Sequence, residues 1–251
     1  MNNIFHRITK KMYVCFYLIF FQRKKGQQVF MYKKTKHSDL LIVFFSAFGE
    51  KQRKGGYNYI WSTRKMKANK LWIRDRFGYY GVGSYYFGTN FPNKSFQREI
   101  IDIISQHSLN KKLFFCGTSK GGSAALFYGL LMNADHIIIG SPQYFIGDYL
   151  KQNNYHIKIA ESICPSGNRT MLLNSILKET ICNKTFTGDI NLLFSSNEGS
   201  YKDHLEPLIF DLKKFNLSVY DAQYSSHNQV AYYYPNYLMA VFNNKKGVNN
   251  G

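Results

Sequence analysis

The sequence predicts an α/β fold in which helices cover both faces of a mostly parallel central sheet. Short apolar runs, each long enough for a buried strand, alternate along the chain with segments of helical periodicity. No internal repeat and no proline- or serine-rich linker interrupts this alternation. With 251 residues, 45% of them hydrophobic, the chain is long enough for one sizeable core. We therefore expect a single domain over residues 1–251.

The first two strands are predicted in a basic N-terminal segment, residues 1–37. The apolar run 12–21 (MYVCFYLIFF) would form one strand and residues 28–34 the next. Basic residues flank the first run as they flank the apolar region of a signal peptide, but no small-residue cleavage site follows. The run is also far shorter than the roughly 20 residues that span a bilayer, so a buried strand is favoured over a targeting segment.

Strands and helices are then predicted in alternation to the end of the chain. The strands are 39–46, 70–74, 111–116, 135–139, 190–195 and 217–223. The helices are 95–108, 122–132, a segment near 203–215 and another near 229–242. A Gly- and Tyr-rich loop occupies 78–88, and the mixed region 143–186 is a candidate helical lid. The polar tail 243–251 is expected to be frayed.

Positive charge is concentrated in the first third of the chain. The protein has 33 basic and 15 acidic residues, a net charge of +18. Residues 1–76 contain 18 basic and three acidic residues, which gives +15 and leaves +3 for the remainder. This asymmetry indicates an acidic polymer or an anionic membrane surface as a partner, with a merely solvated lysine surface as the equal alternative. Nucleic acid is disfavoured, because no recognition helix, RNP motif or zinc finger is evident.

Cysteine usage indicates neither a metal site nor a disulfide framework. Cys15, Cys116, Cys164 and Cys182 form no CxxC pair and no metal-ligand spacing with the histidines. We expect reduced thiols, no metal and no cofactor, in a cytoplasmic protein that either stays in solution or lies against the inner face of the membrane.

The segment GTSKG at 117–121 fits G-x-S-x-G, the nucleophile elbow that turns from a strand into a helix. The apolar strand ends just before Gly117, and small residues follow Ser119, which permits close packing of a helix on the sheet. At that helix N-terminus, free N–H groups would stabilise developing negative charge. The elbow predicts an α/β-hydrolase-like fold with Ser119 as nucleophile; a glycine-rich packing turn is the alternative.

An elbow serine needs a base and an acid, which follow it in the chain order Ser, Asp or Glu, His. His227 comes after the strand 217–223, where the base is expected, whereas His204 lies in a predicted helix. Glu198 follows the strand 190–195 by three residues and is the preferred acid. Asp203, eight residues beyond the strand, is the alternative acid, and capping of the next helix is its other possible role.

The oxyanion hole is expected to use the backbone N–H of Lys120 and a second N–H from residues 46–48, for which we choose Ala47. The Lys120 side chain is a weaker candidate as the base of a Ser–Lys pair. Cys116 is interpreted as an inert thiol in a buried strand.

Substrate-binding residues are sought at the carboxyl ends of the strands. Arg74 ends the strand 70–74, Arg76 follows it, and Tyr79 lies in the Gly- and Tyr-rich loop, so all three are candidates. A surface ion pair with Asp75 is the alternative for the arginines.

The chain resembles bacterial α/β-hydrolase-like proteins of surface-glycan biosynthesis, such as the accessory Sec glycan O-acetyltransferases and proteins encoded with capsular polysaccharide genes. The resemblance spans roughly residues 38–240. It is carried by DLLIVFFSAFG, LWIRDRFGYYGVGSYYFG, GTSKGGSAALFYG, IIIGSPQYFIGDYL, LLFSSNEGSYKDHL and SSHNQVAYYYPNYL. It implies a Ser119–Glu198–His227 triad acting on acetyl or related acyl esters of sugars.

The expected function is serine-dependent acyl transfer, as an O-acetyltransferase or acetylesterase on a surface or capsular glycan. An acyl donor such as acetyl-CoA would enter as a substrate, and association with a biosynthetic complex is expected. Transfer and hydrolysis use the same residues and stay open at this point. The rival interpretations are a carboxylesterase or peptidase with a small substrate, and a non-catalytic hydrolase-like subunit.

Overall fold

The computed structural model describes residues 2–48 and 55–247, which form one eight-stranded sheet with helices on both faces. The strands are β1 (Gln22–Lys25), β2 (Gln28–Lys33), β3 (Leu40–Phe45), β4 (Asn69–Arg74), β5 (Lys112–Thr118), β6 (His136–Gly140), β7 (Asp189–Phe194) and β8 (Asn216–Asp221). The helices are α1 (Asn2–Phe21), α2 (Lys94–Ser108), α3 (Lys120–Leu131), α4 (Ile146–Tyr149), α5 (Asn154–Ile163), α6 (Arg169–Asn183), α7 (Glu206–Leu212) and α8 (Val230–Gly247). The predicted α/β class is confirmed.

The strand order is β1-β2-β4-β3-β5-β6-β7-β8. From β4 to β8 every neighbouring pair is parallel, and β2 runs antiparallel to both β1 and β4. The elbow strand β5 therefore lies near the middle of the sheet. The carboxyl ends of the parallel strands meet at one edge, where ligands bind in open α/β sheets.

Alternating residues of the central strands supply two separate apolar cores. Leu41, Val43 and Phe45 of β3 pack on one face with α2 and α3, while Ile42 and Phe44 pack on the other with α1 and α8. All six residues of β3 are buried, as expected for a strand covered on both sides.

The largest error of the sequence prediction is at the N-terminus. The run 12–21 is not a strand but the second half of α1, which spans Asn2–Phe21. A short apolar run does not distinguish a strand from a helix, and here the helix extends upstream through the polar residues His6, Arg7 and Thr9. The strand predicted at 28–34 is confirmed as β2.

Two other regions differ from expectation or refine it. The mixed region 143–186 is largely helical, since α4, α5 and α6 occupy it. The tail predicted to be frayed from residue 243 instead continues α8 to Gly247, where Lys245 Nζ lies 2.7 Å from Asp189 Oδ2. Residues 248–251 lie outside the described part. The predicted helix near 203–215 is a π-helical turn, Tyr201–Leu205, followed by α7.

Candidate active site

Ser119 lies at the sharp turn between β5 and α3, with φ 53° and ψ −128°. A positive φ is uncommon outside glycine, and it projects the serine from the end of the strand. The flanking glycines are required by packing: a Cβ on Gly117 would overlap the backbone of Gly121, and one on Gly121 would overlap the backbone of Phe45. The sequence pattern thus corresponds to a true elbow.

His227 begins a short 3₁₀ turn, His227–Gln229, between β8 and α8. Its Nε2 lies 2.8 Å from Ser119 Oγ, which is hydrogen-bonding distance. The turn is held by a capping box, in which Ser226 and Gln229 satisfy each other's backbone N–H groups. The imidazole is therefore carried on a well-braced segment at the carboxyl edge of the sheet.

Glu198 follows β7, and its side chain is almost completely buried beside the imidazole. Oε2 lies 3.5 Å from His227 Nδ1. Nδ1 is buried and forms no hydrogen bond with any described residue. The carboxylate is oriented by two hydroxyls: Ser200 Oγ donates to Oε1 at 3.0 Å and Ser141 Oγ to Oε2 at 3.3 Å. A small movement would close the contact, as is common when a site tightens around its substrate.

Asp203, the alternative acid, is exposed in the π-helical turn and has no contact with His227 among the described residues. The neighbouring His204 is buried, and its Nδ1 accepts a hydrogen bond from Phe145 N at 3.2 Å. Burial lowers the pKa of His204. The geometry therefore brings Glu198, rather than Asp203, to the imidazole.

Gln143 is a site residue that the sequence analysis missed. Its Nε2 lies 2.5 Å from Ser119 Oγ and 3.3 Å from His227 Nε2. The residue is buried, and its backbone carbonyl accepts a hydrogen bond from Ser123 Oγ at 2.8 Å. The signal in the sequence is a polar side chain just past β6, the strand that pairs with the elbow strand.

The backbone N–H of Ala47, chosen as second oxyanion donor, already has an acceptor in this structure. It donates to Asn58 Oδ1 at 2.9 Å, and the Ser46 N–H donates to the Tyr86 hydroxyl at 2.5 Å. Of residues 46–48, Phe48 has the N–H without a partner in the described part of the chain. The Lys120 N–H opens α3, where the first amides of a helix have no intrahelical acceptor.

The Lys120 side chain points to a buried ion pair rather than to the serine. Its Nζ lies 2.8 Å from Asp75 Oδ2, and both side chains are fully buried. Burial lowers the pKa of Lys120, and the Asp75 carboxylate opposes that shift. Asp75 also accepts hydrogen bonds from Ser84 N at 2.6 Å and Tyr86 N at 3.1 Å. The pair thus fastens the Gly- and Tyr-rich loop to the elbow helix.

Cys116, within β5, is fully buried, and this burial raises its thiol pKa. A thiol that resists ionisation is a poor nucleophile, so its geometry agrees with the inert role expected for it.

A cavity of about 570 Å³ opens beside Tyr149, and neither Ser119 nor His227 lines it. It is lined by Phe48, Val82, Tyr149, Asn153, Asn154, Tyr155, His156 and Ile159. The Tyr149 ring lies 6.4 Å from the His227 ring, which links the cavity to the site. Helix α5, from the candidate lid region, forms one wall. A larger groove of about 810 Å³ runs between β8 and α8, with no side chain of the Ser–His–Glu set in its wall.

None of the three candidate substrate-binding residues lines this cavity. Arg74 Nε donates to Gly55 O at 2.5 Å, and its guanidinium lies 5.7 Å from the Tyr57 ring. Arg76 is exposed. The Tyr79 ring lies 5.9 Å from that of Tyr155, a residue of the cavity wall. Tyr79 is therefore the candidate with a path to the cavity, through Tyr155.

Within residues 2–48 and 55–247, no three His, Cys, Asp or Glu side chains are grouped so that they could hold a metal ion. The chemistry available at the site is that of a hydroxyl beside an imidazole, with a buried carboxylate behind the imidazole.

No protein-family model matches the chain, and no curated protein sequence matches it either. Solved structures do. The capsule O-acetyltransferase of Neisseria meningitidis serogroup A is 23% identical, covers 88% of this chain and 93% of its own, and has a TM-score of 0.73. A histidine-to-alanine mutant of it has been solved in complex with CoA.

Two further structures are similar. A glycosylation-associated protein complex from Streptococcus agalactiae is 19% identical over 89% of this chain and 46% of that one, with a TM-score of 0.65. The S-formylglutathione hydrolase of Agrobacterium tumefaciens is 11% identical over 87% and 92%, with a TM-score of 0.60. These similarities confirm the α/β-hydrolase-like fold.

Proposed function

We propose that the protein is a serine-dependent acyltransferase that transfers an acetyl or related acyl group through a covalent acyl-enzyme, with a bacterial surface glycan as acceptor. The observation that carries the proposal is the 2.8 Å contact between Ser119 Oγ, on its elbow, and His227 Nε2. A serine hydroxyl within hydrogen-bonding distance of a base that a carboxylate can orient is the signature of nucleophilic catalysis.

In the first half-reaction, His227 takes the hydroxyl proton as Ser119 Oγ attacks the carbonyl carbon of the acyl donor. Glu198 stabilises the resulting imidazolium and holds its Nδ1–H in place. The Lys120 N–H and the Gln143 amide would donate to the negative oxygen of the tetrahedral intermediate. The imidazolium then returns its proton to the leaving group, and an acyl-Ser119 ester is left.

In the second half-reaction, neutral His227 deprotonates an acceptor hydroxyl, which attacks the carbonyl carbon of the acyl-serine. The imidazolium then gives its proton to the departing Ser119 Oγ, and the free enzyme is regenerated. A sugar hydroxyl as acceptor gives O-acylation, and water gives hydrolysis. Support for a CoA thioester as donor and a glycan as acceptor comes from the similar Neisseria capsule O-acetyltransferase, one form of which was solved with CoA.

Hydrolysis is a second candidate function, favoured by a specific observation. The His227 side chain is 28% exposed, so water can reach the base in the absence of an acceptor. Enzymes that transfer rather than hydrolyse must exclude that water. The chain is also similar in structure to an S-formylglutathione hydrolase, whose name describes the hydrolysis of a thioester, and this similarity supports the alternative.

The proposal is tested by trapping the acyl-enzyme. The purified protein is incubated with a fluorophosphonate probe, or with acetyl-CoA or p-nitrophenyl acetate, and its intact mass is measured. We expect covalent labelling by the probe and one added acetyl group, both lost in Ser119→Ala and both retained in Ser105→Ala, which removes an exposed serine of α2. Failure of the parental protein to react with any of the three reagents would favour a non-catalytic subunit.

The acceptor is identified by a partition experiment. Acetyl-CoA consumption is followed with and without purified capsular polysaccharide, and the products are separated into free acetate and acetylated glycan. A transferase gives glycan-bound acetyl groups at the expense of free acetate. Unchanged acetate release across several polysaccharides would assign the protein to the hydrolases.

A further inference from the structure

The outward face of helix α1 is apolar. Phe5, Ile8, Met12, Phe16 and Ile19 recur at spacings of three or four residues, which at 3.6 residues per turn places them within a sector of roughly 80°. Phe5, Met12 and Ile19 are 74%, 67% and 75% exposed, respectively. A helix packed on a protein normally presents polar side chains to solvent, so this face requires another explanation.

The opposite face of α1 fixes the helix to the body of the protein. Tyr17 is buried, its ring lies 5.9 Å from that of Trp72, and its hydroxyl accepts a hydrogen bond from Lys33 Nζ at 2.7 Å. The Tyr13 ring lies 5.4 Å from that of Trp61. The apolar stripe therefore faces away from the protein on a helix that is part of the fold.

Positive charge is concentrated in α1 and in the residues that follow it. Residues 1–38 contain nine lysines and arginines and no acidic residue, since the first acid in the chain is Asp39. Lys10 and Lys11 are exposed on α1 itself, and all four residues of β1, Gln22–Lys25, are exposed directly after it. An exposed apolar helix face within a strongly basic segment has the chemistry of a surface that binds anionic lipid headgroups while its apolar side chains enter the acyl region.

Two other occupants fit this surface less well. If a second copy of the chain docked here, the nine lysines and arginines of residues 1–38 in each copy would face each other, and their repulsion would oppose association. A crossing of the bilayer is not indicated, because no helix in the described part of the chain is both long and apolar enough for it. An orientation in the plane of the interface uses the stripe and the basic residues together.

We propose that α1 and β1 form a docking surface for anionic lipid bilayers, with α1 lying in the membrane interface between the lipid and the sheet. The contact is independent of the acyl-transfer reaction, since it needs no residue of the Ser119 site. The N-terminal part of α1 is nonetheless near that site: His6 packs on Trp61, in the loop where Asn58 holds the Ala47 amide. Docking would bring the carboxyl edge of the sheet close to membrane-bound substrates.

The test is co-sedimentation of the full chain with vesicles of phosphatidylcholine, with and without phosphatidylglycerol. We expect binding to the mixed vesicles that weakens as salt is raised from about 0.1 M to 1 M, because the Debye length falls from about 10 Å to about 3 Å. Neutral vesicles should bind much less. Equal binding to both, or none to either, would overturn the proposal.

Two variants separate the apolar and the charged parts of the surface. The stripe variant Ile8→Gln/Met12→Gln/Ile19→Gln should lose binding. A matched control, Leu109→Gln/Met171→Gln/Phe210→Gln, alters three apolar residues elsewhere that are also more than half exposed, and it should keep binding. The basic variant Arg23→Gln/Lys24→Gln/Lys25→Gln should bind mixed vesicles on the order of 100-fold more weakly. Its control, Lys158→Gln/Lys178→Gln/Lys202→Gln, removes three exposed charges outside this surface.

Folding and self-association are monitored for every variant. Circular dichroism and the thermal midpoint show whether the stripe variant is folded, and vesicle binding requires no turnover, so its result is distinct from failure of the proposed reaction. Analytical ultracentrifugation should give a monomer for both parental and stripe variant. A parental dimer that the stripe variant abolishes would assign the stripe to a second copy and overturn the lipid proposal.

Discussion

The side-chain amide of Gln143 lies 2.5 Å from Ser119 Oγ, and the same nitrogen lies 3.3 Å from His227 Nε2. An N–H group at this position can donate to the serine oxygen in the free enzyme and to a substrate oxygen once the serine has reacted. It also offers the donor that Ala47 cannot supply, because the Ala47 amide is held by Asn58.

We expect Gln143→Leu, which keeps the size of the side chain and removes the donor, to lower kcat by about 10²- to 10³-fold with little change in KM. Initial rates with p-nitrophenyl acetate over a range of concentrations separate the two constants. Gln152→Leu, which alters an exposed glutamine, is the control. A rise in KM at unchanged kcat would show that Gln143 binds substrate and does not stabilise the transition state.

The acid is tested by comparing Glu198→Gln with Asp203→Asn. Glu198→Gln should reduce turnover by about 10⁴-fold, since a neutral amide allows the wrong imidazole tautomer and leaves the imidazolium unstabilised. Asp203→Asn should cost little, because that carboxylate is exposed and forms no hydrogen bond or ion pair with His227 among the described residues. The reverse ranking would transfer the role of acid to Asp203.

The buried pair of Lys120 and Asp75 makes a prediction about folding. Lys120→Met should lower the free energy of unfolding by about 3–5 kcal/mol, because Asp75 then stays buried without its cation. Lys120→Met combined with Asp75→Asn removes both charges and should be less destabilised than the single Lys120 variant. Urea denaturation, followed by tryptophan fluorescence, gives the free energy of unfolding of the parental protein, of Lys120→Met and Asp75→Asn alone, and of the double variant. A double variant whose loss equals the sum of the two single losses would show that the charges do not interact.

The stability of the folded protein should depend on pH through His204. Burial lowers its pKa, and its Nδ1 accepts the Phe145 N–H only while the imidazole is neutral. Below the ordinary histidine pKa of about 6.5 the unfolded chain therefore binds more protons than the folded one, and stability falls as the pH falls through this range.

We expect the urea midpoint to decrease between about pH 7 and pH 5 and to decrease less in His204→Asn, whose side-chain oxygen can accept the same N–H. His107, His136 and His156 also have pKa values lowered by burial, so part of the slope should remain. Identical slopes for parental and variant would exclude His204 as a contributor.

The sequence was sufficient to predict the sheet, apart from its first strand. Buried strands such as β3 are nearly continuous apolar runs, and amphipathic or small-residue helices lie between them. The elbow was equally predictable, because its turn requires glycine at positions 117 and 121, where any Cβ would overlap backbone atoms. The helix at 2–21 was not. Its apolar residues lie on the outward face as well as the packed one, so the run lacked the one-sided periodicity by which a helix is recognised.

Long-range polar contacts explain what else was missed in the site. Asp75 and Lys120 are 45 positions apart, and only the folding of the Gly- and Tyr-rich loop onto α3 makes them partners. Gln143 approaches Ser119 because β6 lies beside β5, a neighbour relation that the alternation of elements does not specify. The Ala47 amide is engaged because of Asn58, whose side-chain direction no local pattern reveals.

The backbone conformation of Ser119 lowers stability, whereas its hydroxyl is needed for the proposed reaction. A non-glycine residue held at φ 53° and ψ −128° costs on the order of 1–3 kcal/mol of folding free energy. Glycine adopts such angles without a Cβ clash, so Ser119→Gly should melt at a higher temperature than the parental protein. That same change removes the hydroxyl beside His227. A laboratory evolution experiment that screened only for heat resistance would therefore favour loss of the proposed nucleophile at this position, and such a screen must be coupled to a measurement of turnover.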